Sequence, residues 1–168
     1  MDMEITIRKA SISDLKTICD LYHAAIQVMD NNHIPQWDTL YPNEDLLKDD
    51  ILKNQMYIAD IENQIASVFV LNQEYDTEYD NGNWKYKDSA FTVVHRLCVN
   101  PRFQNQGVGT KTMQTLEKIL QREGAESIRL DVFSQNPFAL RIYENLGYRR
   151  VGEANWRKGL FFLYEKKI

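Results

Sequence analysis

Polar and apolar residues alternate through Glu4, Ile5, Thr6, Ile7, Arg8 and Lys9, and a period of two marks a short strand with one buried face. The period then lengthens. Leu15, Ile18, Cys19, Tyr22, Ala25, Ile26 and Met29 recur at helical spacing, with Ser11 and Asp14 resembling a capping box at the start of the stripe. Residues 30–42 carry no period and form an irregular connection, after which Asn43 caps a second helix holding Leu46, Leu47 and Ile51. Residues 56–59 and 65–71 read as strands about the turn Glu62-Asn63, and 90–99 as a central strand. Between them, residues 74–87 are acidic and aromatic, with Asn81-Gly82 as a hairpin signal, and are expected to project from the sheet. Val108, Met113, Leu116, Ile119 and Leu120 share one face of a third helix ending at Gly124, and 127–133 form another strand. Asn136-Pro137 opens a short helix through Asn145 that Gly147 stops, and 148–152 and 159–166 supply two last strands. This order, without internal repeat or low-complexity linker, predicts an α/β (α+β) fold: a mixed sheet with helices on both faces.

The 168 residues suit one domain, 1–168, that buries about 70% of its unfolded surface. With 43% hydrophobic and 26% charged residues the chain is globular rather than disordered. A net charge of -4 with no Lys/Arg-dense stretch argues against a nucleic-acid partner. Cys19 and Cys98 sit in apolar patterns without metal-ligand or redox spacing, so small core residues in a reducing cytosol are expected, and no metal. Met1-Asp2-Met3-Glu4 lacks a basic flank and an apolar core, and no segment approaches the ~18 apolar residues of a membrane span. A soluble, cytoplasmic protein is the expectation.

The junction of the central strand and the third helix holds the candidate chemistry, Gln104-Asn105-Gln106-Gly107-Val108-Gly109. A helix's first turn leaves its N–H donors without intrahelical partners, and the aligned peptide dipoles put partial positive charge there, so a pyrophosphate fits. Gly107 and Gly109 are expected to let a ligand approach the backbone closely. Thr112 stands where the dinucleotide fingerprint needs a third glycine, and the spacing is not that of a P-loop. For Gly-x-Gly taken alone, an ordinary strand-to-helix turn is an equally good account.

Gln104-x-x-Gly107-x-Gly109, followed about thirty residues later by Asn136-x-x-Ala139-x-x-x-Tyr143-x-x-x-Gly147-Tyr148, makes the chain resemble the GNAT superfamily of acetyl-CoA-dependent N-acetyltransferases over essentially its full length. The resemblance implies a mostly antiparallel central sheet splayed into a V, where the central strand parts from strand 127–133 to admit a pantetheine arm. It implies acetyl-CoA as cosubstrate, with the backbone of Leu97, Cys98 and Val99 pairing with pantetheine and one N–H facing the acetyl oxygen. Gln104, Asn105, Gln106, Gly107, Val108, Gly109 and Thr110 then hold the pyrophosphate, and Asn136 and Tyr143 line the wall near the sulfur.

Chemistry assigns the remaining roles. An amine with a pKa near ~10 is protonated at neutral pH, so a base or a water relay must take a proton before it attacks the thioester. His95 is the candidate base, in register with Leu97 on alternate positions of the strand; a histidine hydrogen-bonded at the sheet surface is the bland alternative. Tyr143 is the candidate acid for the departing thiolate, against a tyrosine merely packed on the sheet. Trp37, Tyr75 and Tyr79 are candidate substrate contacts. Trp37 serves equally well as a plug between two helices, and segment 74–87 as a solvated hairpin. The function expected is acetyl transfer to a primary amine of a small molecule or a protein terminus. The alternative is a catalytically silent acyl-CoA-binding sensor. A homodimer through the last two strands stays open.

Overall fold

Residues 3–168 are described in a computed structural model; Met1 and Asp2, the first of the stretch read for a leader, lie outside the described residues. The strands are β1 (Thr6–Lys9), β2 (Met56–Ile61), β3 (Gln64–Asn72), β4 (Phe91–Val99), β5 (Ser127–Phe133), β6 (Arg149–Trp156) and β7 (Gly159–Lys167). They form one sheet in the order β1-β2-β3-β4-β5-β7-β6. The helices are α1 (Leu15–Asn31), α2 (Glu44–Leu52), α3 (Val108–Arg122) and α4 (Pro137–Asn145).

Local chemistry sets the element ends. The Asp14 carboxylate accepts from the Ser11 N–H at 2.8 Å, and Asn43 Oδ1 accepts from the Leu46 N–H at 2.9 Å. Glu62 and Asn63 take φ of 50° and 63° between β2 and β3, the pair of left-handed residues that a tight hairpin turn requires.

One pairing decides the architecture. β4 and β5 are parallel neighbours and pair only through Phe91–Ser127, Thr92–Ile128 and Val93–Arg129. Beyond that point residues 94–99 and 130–133 part, while the other pairings are antiparallel. This is the splayed V. Under α1 and α2 the sheet packs Ile18, Tyr22, Leu47, Met56, Val68 and Val70. On the face of α3 and α4 it packs Phe69, Val94, Met113, Leu116, Leu130 and Tyr143. No helix among the described residues is long and apolar enough to cross a membrane.

Segment 74–87 departs from the expectation. It does not project as a hairpin: Thr77–Asn81 forms a 3-10 turn, and Gly82 has φ -78° rather than the positive value of a tight hairpin turn. The segment lies flat on the sheet, with the Asn83 N–H on the Val151 carbonyl at 2.8 Å and the Lys85 N–H on the Glu165 carboxylate at 2.6 Å. Its aromatics explain why. Tyr79 is 2% exposed among Val93, Ala154 and Leu163, and the Arg129 guanidinium lies 4.7 Å from the Trp84 ring and 4.0 Å from the Phe91 ring. Apolar burial and cation–π contact outweigh the solvation of the segment's acidic residues.

Candidate active site

A cleft of ≈ 820 Å³ opens where β4 leaves β5. Its walls come from the 104–110 junction, β4, β5, α4, the α1–α2 connection and the β6–β7 turn.

At the junction, Gly107 is the N-cap residue of α3 with φ 77°, and no side chain caps the helix. Asn43 and Asn136 cap α2 and α4, whereas α3, like α1, starts without a side-chain bond from its N-cap residue. The N–H groups of Val108, Gly109 and Thr110 precede the first intrahelical bond, which runs from the Lys111 N–H to the Gly107 carbonyl at 3.0 Å. Gln104, Asn105 and residues 107–110 line the cleft. Gln106 does not, because its amide donates to the Arg102 carbonyl at 3.2 Å on the exposed side. The two glycines also divide their work differently from the expectation. Gly107 supplies the left-handed φ, whereas a Cβ on Gly109 would stand 3.1 Å from Ile142 Cδ1, so that glycine lets α3 sit against α4.

β4 carries an extra residue. Val68 pairs with Cys98 but Val70 with His95, so three steps on β4 match two on β3, and Arg96 takes φ 50° at the bulge. The alternation read from the sequence therefore breaks: His95 shares the face of its partner Val70, and Leu97 turns to the α3 and α4 side. Leu97, Cys98 and Val99 all line the cleft, and so does His95. His95 Nε2 lies 2.8 Å from Asn72 Oδ1 and 3.0 Å from the Glu74 carbonyl. Two acceptors assign the proton to Nε2 and leave Nδ1 bare. Burial, with the charge of Arg96, pushes the imidazole down to about 4.

Asp131 has no counterpart in the sequence reading. It lines the cleft from β5, two residues past Arg129 of the last β4–β5 pair, and accepts from the Tyr79 hydroxyl at 2.7 Å. Burial pushes its carboxyl up to about 6, against the lowering effect of the Tyr79 hydrogen bond. The available signal was a carboxylate between Leu130 and Val132 in an otherwise apolar strand end. Tyr143 lines the same cleft, 8% exposed, with its ring edge-on to Tyr148 at 5.5 Å. Burial and the charge of Asp131 hold its phenol above the ordinary value, so it is protonated at neutral pH.

The remaining candidates divide. Asn136 lines the cleft; its Oδ1 caps α4 at the Ala139 N–H (3.1 Å) and its Nδ2 donates to Gln36 Oε1 at 2.8 Å. Trp37 lines the cleft and also packs on Tyr22 at 5.4 Å. Tyr79 and Tyr75 do not line it: Tyr79 reaches it through Asp131, and Tyr75 stacks on Tyr79 at 5.4 Å with 43% exposure. Asp76 of that segment does line it, as do Tyr41, Arg96, Arg157 and Lys158. No cluster of three His, Cys, Asp or Glu suited to a metal occurs among the described residues.

The model of the Acetyltransferase (GNAT) family matches residues 19–148. S-(2-succino)cysteine N-acetyltransferase of Bacillus subtilis (strain 168) is 27% identical over 127 residues, covering 73% of this chain and 72% of its own. Phosphinothricin N-acetyltransferase of Streptomyces viridochromogenes is 25% identical over 153 residues, 88% of this chain and 76% of its own. Among solved structures, a GNAT-family acetyltransferase of Streptococcus agalactiae superposes with a TM-score of 0.87 at 21% identity, covering 99% of both chains. The PaiA N-acetyltransferase of Thermoplasma acidophilum, solved in complex with coenzyme A, has a TM-score of 0.69 at 20% identity, over 99% of this chain and 100% of its own.

Proposed function

The chain belongs to the acetyltransferase (GNAT) family and is an N-acetyltransferase, and from that premise we propose that its one domain, 1–168, moves an acetyl group from acetyl-CoA to a primary amine of a small molecule or a protein terminus by direct attack on the thioester. The parting of β4 from β5 after Val93 and Arg129 carries this reading, because it leaves a strand edge, an uncapped helix end, a carboxylate and a phenol around one cleft. No finding supports the silent sensor.

The orphan N–H groups of Val108, Gly109 and Thr110 receive the pyrophosphate, where the helix dipole favours negative charge. Along 97–99 the strand edge without a β5 partner pairs with the pantetheine amides, as an extended segment adds to an open sheet edge. One N–H of that run meets the acetyl oxygen and stabilises the charge that grows there during attack. Acetyl-CoA supplies the activated acyl group; the chain's own groups move the protons.

Two residues compete to deprotonate the amine. At neutral pH the Asp131 carboxylate, with its pKa about 6, is a stronger proton acceptor than His95 at about 4. We therefore assign the proton to Asp131, and to the bare Nδ1 of His95 a hydrogen bond that orients the amine. Tyr143, protonated at this pH, donates to the departing sulfur.

A thiol-release assay with acetyl-CoA over a panel of amines tests the reading, with coenzyme A binding followed by calorimetry. Release should need an amine, and kcat/KM should rise through about pH 6. In Asp131→Asn that limb should vanish with a rate loss of roughly 10²–10⁴-fold. Absence of coenzyme A binding together with absence of thiol release for every amine would refute the proposal.

A further inference from the structure

Charge is unevenly distributed around the acceptor part of the cleft. Arg96 pairs with Asp50 at 2.6 Å and donates to the Tyr41 hydroxyl at 3.1 Å. Tyr41 in turn is held to the next charged group, since the Asp38 N–H donates to the Tyr41 carbonyl at 3.0 Å. Asp38 takes two bonds from Arg157, at 2.7 and 2.9 Å, and lies 3.4 Å from Lys158 Nζ. This contiguous rim holds three cations, Arg96, Arg157 and Lys158, against two carboxylates, Asp50 and Asp38.

One positive charge is left over. Asp38 is already satisfied by the Arg157 fork, which makes the longer contact to Lys158 the expendable one. A second observation points the same way. The Arg96 side chain is 10% exposed, and its Nε–H is buried without a partner among the described residues, a state that costs stability unless an acceptor arrives. Arg96 and Lys158 both line the cleft. So do Asp131 and Asp76, and neither carboxylate is ion-paired among the described residues.

Resting on the acetyl-transfer reading above, we propose that the acceptor is a free amino acid, its ammonium group received by Asp131 and Asp76 and its carboxylate by Lys158 and the unpartnered Nε–H of Arg96. The group that reacts and the group that selects then sit on opposite charges of one small molecule. Lys158 is a specificity-determining residue: it binds the part of the acceptor that does not react.

Matched acceptors test this with the intact enzyme. Thiol release is compared for the common amino acids, their carboxamides and the corresponding decarboxylated amines. The preferred amino acid should exceed its amide in kcat/KM by about 10- to 100-fold, the range for a lost charge-assisted hydrogen bond, and mainly through KM. Lys158→Met should bring that ratio close to one, and Lys158→Arg should recover most of it. Amides, simple amines or peptide N-termini used as well as free amino acids would overturn the inference, as would an unchanged ratio in Lys158→Met. Both of those results leave acetyl transfer standing. Absence of release with every acceptor overturns the acetyl-transfer reading, and this inference falls with it.

Discussion

Two half-buried groups in the cleft, Asp131 and His95, bias folding in opposite directions over nearly the same pH range, and removing one should expose the other. The Asp131 carboxyl is raised from 3.8 to about 6. Between those values the folded chain keeps a proton that the unfolded chain has released, so stability falls as pH rises. At ~1.4 kcal/mol per unit of difference, the loss from about pH 4 to pH 6 is roughly 3 kcal/mol. The His95 imidazole is lowered from 6.5 to about 4. In its window the unfolded chain binds a proton that the folded chain refuses, so stability rises with pH, again by roughly 3 kcal/mol, and is fully present above 6.5. In the native protein the two slopes nearly cancel.

Asp131→Asn removes one slope while keeping the side chain's volume and an acceptor oxygen for the Tyr79 hydroxyl. It should stabilise the fold by about 3 kcal/mol at pH 7 and not at all at pH 4, leaving a curve that climbs through His95's window. His95→Gln should do the reverse, with stability descending from about pH 4 to pH 6. Urea denaturation followed by tryptophan fluorescence at several pH values reads both curves. A gain in Asp131→Asn that is absent at pH 7, or equal at pH 4 and pH 7, would mean that the carboxyl titrates normally. The assignment of Asp131 as proton acceptor would then lose its physical basis. The expected pattern, a variant that is more stable and far slower, is that of a group held in place for activity against the preference of the fold.

Tyr143→Phe should lower kcat by about 10²-fold while coenzyme A affinity by calorimetry stays within about two-fold, and unchanged turnover would remove the phenol from the reaction. Tyr79→Phe deletes the hydrogen bond that holds the Asp131 pKa down, so the rising limb of kcat/KM should move above pH 6; a limb that stays in place would break the link between the two residues. Gly152→Ala places a Cβ 2.9 Å from Gly82 Cα and 3.0 Å from the Asn81 carbonyl, both backbone atoms of the segment over the sheet. That should cost about 1–3 kcal/mol in thermal unfolding and raise amide exchange within 74–87, whereas a silent substitution would mean the segment is not packed as described.

Where hydrophobic spacing alone controls structure, the sequence was readable. β5 and α4 occupy the predicted 127–133 and 137–145, and the cap at Asn43 is made by the side chain expected. The start of α3 was legible for the same local reason, since a glycine pair precedes an amphipathic stripe. The bulge at Arg96 was not. β4 holds an unbroken apolar-and-basic run in which one extra residue changes nothing in the spacing, and only the register against β3 reveals that His95 and Leu97 face opposite ways.

The missed carboxylate and the misplaced segment are one error. Arg129 and Asp131 alternate with Ile128, Leu130 and Val132, the pattern of a strand with one wet face. If 74–87 stood out from the sheet as a hairpin, that face would meet water and both charges would be ordinary surface groups. Instead Tyr79 and Trp84 close over it, so Arg129 is 3% exposed beneath aromatic rings and Asp131 is left with the Tyr79 hydroxyl and the cleft. A polar pattern therefore becomes a buried, perturbed one because a distant segment covers it. That coverage raises the Asp131 pKa toward neutrality, and the proton-accepting role proposed for β5 depends on a segment some fifty residues away.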